Sequence, residues 1–268
     1  MNVFVYEHLT GGGLLPGHDA AWRSLAAEGR AMVQALAADF AALDGARVTC
    51  LRDARAETWQ SAGCRMIDVT SAEEHRQQFD VCAASADWSL IIAPEIHGIL
   101  LNRCRRVVDV GGRLLGPAPQ LVALASDKQH TIEHLQAAGV PTPEGFSLDS
   151  GGAWPRDFSY PAVWKPRDGA GSHDILVIGA ASDAPHQPAG VAGRLERFCG
   201  GVPVSVALLA GPRGCTALPA CRQLLSQDGR LRYLGGSVPL PAPLAGRAAP
   251  LARRTAAALG DARGYFGI

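Results

Sequence analysis

Lysine is nearly missing from this sequence. Of 25 basic residues only Lys128 and Lys165 are lysines, and the rest are arginines. Other absences narrow the possibilities. No apolar run approaches the ~20 residues of a membrane span, and Met1–Glu7 lacks the basic start and long apolar core of a secretory signal. There is no excess of charge of one sign: 25 basic and 25 acidic residues give a net charge of zero and remove the basic field that non-specific nucleic-acid binding needs. The seven cysteines are odd in number and contain no CxxC pair. They read as reduced thiols in a cytoplasmic protein, not as a disulfide frame or zinc cage. The phosphate loop GxxxxGK[ST] does not occur, nor does GxGxxG follow the first apolar run.

What is present is enough for a folded core. Hydrophobic residues make up 47% of 268, which excludes a disordered chain and suits two or three lobes. Val3–Tyr6 is a short apolar run broken by Gly11-Gly12-Gly13. Apolar residues at helical spacing follow from Asp19 to Leu43, and Arg47–Leu51 reads as a strand. Ser71–Ala84 reads as a helix, Trp88–Ala93 as a buried parallel strand, Ile96–Val108 as a helix and Arg113–Leu115 as a short strand. This alternation predicts a small doubly wound α/β lobe over 1–117, closed by Gly116-Pro117-Ala118-Pro119.

Beyond it, Ser126-Asp127-Lys128 opens a helix running to Ala138, which Gly139-Val140-Pro141 stops. The strand Ala162–Pro166 delivers Lys165 to a glycine-rich loop, Arg167–His173. Such a loop lets backbone N–H groups approach phosphate oxygens while lysine adds a compact charge. The plainer reading is a glycine hairpin beside a surface lysine. Ile175–Ile178, Val204–Leu209, Ala220–Leu225 and Leu231–Leu234 read as further strands, the last three in one antiparallel sheet. Leu251–Leu259 reads as a final helix.

Taken together, Asp127-Lys128 with its helix, Gly139–Pro143, Val163–Pro166 and the loop 167–173 resemble the ATP-grasp superfamily. Leu195–Gly201 resembles its inter-lobe linker, and Val204–Ala207 the strand that follows. Arg222-Gln223-Leu224, Tyr233–Gly236 and Gly264–Gly267 also look like this family. The resemblance implies an ATP-grasp domain over 118–268, with a nucleotide-binding lobe to about 195 and an incomplete lobe after it.

Roles follow by resemblance. Lys128 and Lys165 would bind ATP phosphates. Gly169, Gly171 and Ser172 would close over them. Glu196 would face the adenine amino group, with Phe198 and Cys199 on the purine-binding linker. Pro203 stands where many relatives carry a ribose-binding Glu. The family also holds Mg²⁺ on carboxylates that would follow Gly267-Ile268. After Glu196 only Asp228 and Asp261 are acidic, and neither matches. The resemblance thus implies a C-terminally truncated protein, either a partial sequence or a nucleotide-binding remnant without its metal site.

Within the superfamily, Tyr6-Glu7 before Gly11–Gly13, Ala93-Pro94-Glu95 and Tyr233–Pro239 look most like the small carboxylate–amine ligases that include tyramine–glutamate ligase. The implied partners are ATP, a small carboxylate and an amine. The implied chemistry is an acyl phosphate intermediate converted to an amide, such as a glutamyl amide. Gly11, Gly12 and Gly13 are either a tight turn or a substrate loop. Glu95 is either an amine contact or a surface residue, and Arg222 joins the substrate candidates. A motif from another class competes: His130-Thr131-Ile132-Glu133-His134 matches HxxEH, and His130 and His134 share a helix face that could ligate zinc in a hydrolase.

Overall fold

The computed structural model describes the chain except residues 14–19, 56–58, 152–153, 170–173, 185–190 and 261, together with the side chains of 20–24 and 183. The fold is mixed α/β and divides into two compact units, Met1–Pro119 and Gln120–Ile268.

The first unit contains β1 (Asn2–Glu7), α1 (Ala20–Ala41), β2 (Arg47–Asp53), β3 (Cys64–Val69), α2 (Ala72–Ser85), β4 (Trp88–Ile92) and α3 (Ile99–Asp109). Its strands are all parallel, in the order β3-β2-β1-β4. Side chains alternate across β1. Val3 and Val5 pack with Val33 and Ala37 of α1, whereas Phe4 and Tyr6 pack with Phe79 of α2 and Val107 of α3. That split makes the sheet doubly wound. Ser71 caps α2 by accepting from the Glu74 backbone N–H.

Two expectations change here. Arg113–Leu115 forms only an isolated bridge, Ser89 to Leu114, and not a strand. Helix α3 begins at Ile99, because Gly98 adopts a left-handed conformation that cannot continue a helix back to Ile96.

Helix α4 (Pro119–Ala125) begins on the last residue of the first unit and leads into the second, where α5 (Lys128–Ala137) follows. A four-stranded antiparallel sheet follows, order β5-β8-β6-β7, from β5 (Gly145–Leu148), β6 (Ala162–Pro166), β7 (Leu176–Ile178) and β8 (Gly193–Arg197). Trp164 and Leu195 bury their side chains in its core with Ala162 and Ile178.

The remaining strands are β9 (Val204–Ser205), β10 (Ala207–Gly211), β11 (Gly214–Ala217), β12 (Cys221–Leu225), β13 (Tyr233–Ser237) and β14 (Gly264–Gly267). They form two three-stranded sheets, β13-β12-β9 and β11-β10-β14, where the sequence suggested one. The break falls at Val206: it separates β9 from β10, and its side chain enters the core beside Leu208 and Ala252. Helix α6 (Ala242–Ala258) starts nine residues before the predicted Leu251 and contains Pro250. Among the described residues no helix is long and apolar enough to cross a membrane.

Candidate functional site

Strands β6 and β8 pair so that Lys165 lies opposite Arg194 and Val163 opposite Glu196. Because side chains alternate along a strand, Trp164 and Leu195 enter the core while Lys165, Arg194 and Glu196 share the other face. There the Lys165 ammonium pairs with Glu196 Oε1, and Arg194 Nε lies 3.3 Å from Glu196 Oε2. Arg194 is only 1% exposed. A buried guanidinium needs its donors satisfied. Arg194 Nη1 donates to Gln129 Oε1 of α5 at 2.5 Å, and Nη2 donates to the Pro143 carbonyl at 3.2 Å. One carboxylate therefore holds two cations, and one of them anchors the strand to the first turn of α5.

Lys128 opens α5. Its backbone N–H donates to the Arg167 carbonyl at 2.8 Å, and its ammonium donates to the carbonyls of Asp168 and Gly169 at 2.9 and 2.6 Å. Arg167 returns to α5 through Asp127, with Nη2 2.5 Å from Oδ2. Asp127 also caps the helix, accepting from the backbone N–H groups of Gln129 and His130. Burial works against its charge. The hydrogen bonds from Arg167 and the His130 backbone outweigh that cost and hold its carboxyl below the ordinary range. The loop after β6 is thus stapled to the start of α5, and both lysines belong to one arrangement.

Of the nucleotide candidates, Gly169 lies at the start of that loop; Gly171 and Ser172 fall outside the described residues. The segment Leu195–Gly201 is not all linker: Leu195–Arg197 belongs to β8, whose ladder with β5 and β6 fixes it, and Glu196 is a buried strand residue. Phe198 and Cys199 leave the strand and are exposed, with the Phe198 N–H donating to the Pro161 carbonyl. Arg194 and Gln129 were missed as contributors, although the period-two pattern of Arg194-Leu195-Glu196 carries the signal for the first.

The substrate candidates lie elsewhere. Arg222 is exposed on β12. Glu95 is exposed in the loop after β4, at the carboxyl edge of the parallel sheet, where the turn Gly11–Gly13 after β1 also lies. Packing accounts for the three glycines. A Cβ on Gly11 would stand 2.5 Å from the Glu7 carbonyl, one on Gly12 2.5 Å from Val69 Cγ2, and one on Gly13 would overlap the His8 ring. Gly12 also has φ of +93°, a region side chains disfavour. Glu7, 2% exposed, closes this turn: its carboxylate accepts from the N–H groups of Leu9 and Thr10 and from the Thr10 hydroxyl. Burial nevertheless raises its carboxyl above the ordinary range.

The histidine pair is arranged differently from a zinc site. His134 Nε2 lies 2.8 Å from the Ala258 carbonyl, while His130 is exposed beside Asp127 and Arg167. No cluster of three His, Cys, Asp or Glu able to hold a metal occurs among the described residues. The same observation applies to Mg²⁺, for which these residues supply no ligand set.

Comparison with known proteins identifies the family and the fold. A family model for the ATP-grasp domain matches residues 125–268, and one for the pre-ATP-grasp domain matches residues 46–122. No curated protein matches the sequence. Among solved structures, an ATP-grasp superfamily protein from Archaeoglobus fulgidus superposes with a TM-score of 0.70 at 22% identity, over all of this chain and 75% of that one. The N5-carboxyaminoimidazole ribonucleotide synthetase from Thermotoga maritima gives 0.67 at 17%, over all of this chain and 63% of that one. The L-amino acid ligase from Bacillus licheniformis gives 0.64 at 13%, over 99% of this chain and 62% of that one. This chain therefore spans less than two thirds of the last two. Identities this low speak for the fold alone, but the family match covers more than half of the sequence: the chain belongs to the ATP-grasp family.

Proposed function

We propose that the protein binds ATP at the β6–β8 face and serves an ATP-dependent carboxylate–amine ligase reaction. The observation that carries this reading is Lys165 beside Glu196, with Lys128 seated on the carbonyls of the loop after β6. Donors suited to phosphate and an acceptor suited to an adenine amino group then share one surface. ATP fits these residues. Lys165 and Lys128 would neutralise phosphate oxygens, and Glu196 would accept from the purine amino group. The backbone of Gly169, Gly171 and Ser172 would approach the phosphates, with Phe198 and Cys199 flanking the base.

ATP supplies the phosphoryl group that activates a carboxylate, and an amine then displaces phosphate to leave an amide. Glu95, the turn Gly11–Gly13 and Arg222 are the proposed contacts for the small acid and amine. Mg²⁺ serves phosphoryl transfer in this family, and the described residues offer no ligand set for it. The resemblance to tyramine–glutamate ligase places a glutamyl amide among the products to test. Similar solved structures include a synthetase with ADP and an aminoimidazole ribonucleotide, and an L-amino acid ligase. A zinc hydrolase would need a third ligand beside His130 and His134, and the described residues offer none.

Hydroxylamine trapping tests the reaction. Protein incubated with ATP, Mg²⁺, glutamate and hydroxylamine should form hydroxamate and ADP together, and Lys165→Ala should abolish both. ATP binding without hydroxamate across a panel of carboxylates would reduce the reading to nucleotide binding.

A further inference from the structure

In the parallel sheet the chain order turns at β1, which has β2 on one side and β4 on the other. Open α/β sheets take ligands outside the carboxyl ends of their strands at such a switch point. The His8 N–H continues the ladder by donating to the Ile92 carbonyl at 2.9 Å. Beside it, between α2 and α3, lies a cavity of about 480 Å³ lined by His8, Arg76, Asp80, Asn102, Arg103 and Arg106, with Ile99.

The charges lining it do not balance. Asp80 is taken by Arg106 through both oxygens, and Arg76 leans to Glu73 at 2.7 Å. Arg103 has no carboxylate partner among the described residues. Its guanidinium carbon stands 5.4 Å from the Phe79 ring centroid and 5.9 Å from that of Tyr6. Among the described residues its guanidinium is hydrogen-bonded from Nε to His8 Nδ1, at 3.4 Å. Aromatic faces hold the cation flat but do not neutralise it. The polar groups behind it are neutral. The Tyr6 hydroxyl sits 2.8 Å from His75 Nε2 and 3.3 Å from His8 Nδ1. Burial, helped by Arg103, lowers His8 to about 3 and His75 to about 4. Arg103 thus faces the cavity preorganised, and the one carboxylate among the lining residues, Asp80, on which Arg103 also acts, is already engaged by Arg106.

We propose that this groove is an oxyanion site, taking the carboxylate or phosphate group of a small molecule on Arg103, with Asn102 and Arg106 at its sides. The inference is independent of the nucleotide site.

The test uses the full chain with Lys165→Ala, so that the proposed nucleotide site does not compete. Arginine side-chain N–H and histidine ring resonances are followed by NMR against inorganic phosphate and, separately, acetate, at constant ionic strength in chloride. Saturable shifts of Arg103 and His8 are expected, with Arg103→Gln weakening binding about tenfold. Saturation by phosphate alone assigns a phosphate ligand; saturation by acetate as well assigns a carboxylate. Asp80→Asn keeps the test decisive if the Arg103 variant does not fold, because removing the competing anion should tighten binding. Shifts that stay linear in both anions, that persist in Arg103→Gln, or that weaken in Asp80→Asn would overturn the proposal.

Discussion

Arg194 shows how a single buried charge organises the nucleotide lobe. Its guanidinium reaches Glu196, Gln129 and the Pro143 carbonyl from a position sealed from solvent. Arg194→Met leaves Glu196 with Lys165 as its remaining cation and takes the donor from Gln129 Oε1 and the Pro143 carbonyl. Unsatisfied buried acceptors cost about 1–3 kcal/mol, so the variant should lower stability by that order in chemical denaturation. Adding Gln129→Leu should recover part of the loss, since one stranded acceptor is gone.

Two other residues tie stability to pH. His8 and His75 are lowered to about 3 and about 4, chiefly by burial. In the unfolded chain they titrate near 6.5. Between those values the unfolded state binds more protons, so stability rises with pH and falls on acidification. Each histidine should cost about 2 kcal/mol by pH 5 relative to neutrality. His75→Gln should flatten that part of the stability-against-pH profile. Asp127, lowered by Arg167, adds a loss of the same sign only below the ordinary carboxylate range.

At the scale of elements, legibility followed hydrophobic contrast. Trp88–Ile92 and Ala162–Pro166 are apolar runs with clear punctuation and read correctly as strands. β3 did not read at all, since Arg65 and Asp68 interrupt it and it lies at a sheet edge. β8 was hidden for another reason. Arg194-Leu195-Glu196-Arg197 looks like a solvated linker until β6 supplies a partner face on which two of its charges are buried. Lys128, Lys165 and Asp127 stood out in the sequence through a family resemblance, whereas the Arg103 cavity joins His8, just after β1, with residues of α2 and α3 that no local pattern unites.

The same pairing explains Gly193. A Cβ there would overlap the buried Trp164 indole, so Gly193→Ala must displace β8 from β6. Overpacking of this kind typically costs ~1–3 kcal/mol. Because Arg194 is the next residue, the variant should lose nucleotide affinity along with thermal stability.

As a whole, the molecule is two units with separate cores, and the proposed sites divide between them. The α2–α3 groove belongs to the parallel-sheet unit, and the β6–β8 face belongs to the unit matched by the ATP-grasp family. The central claim is that the two lysines sit on a nucleotide site. Calorimetric titration of ATP into the full chain tests it most directly. The account predicts saturable binding by the wild type and loss of at least about tenfold in affinity, ~1.4 kcal/mol, in Lys165→Ala. Absence of binding at millimolar ATP, or equal affinity in the variant, would contradict it.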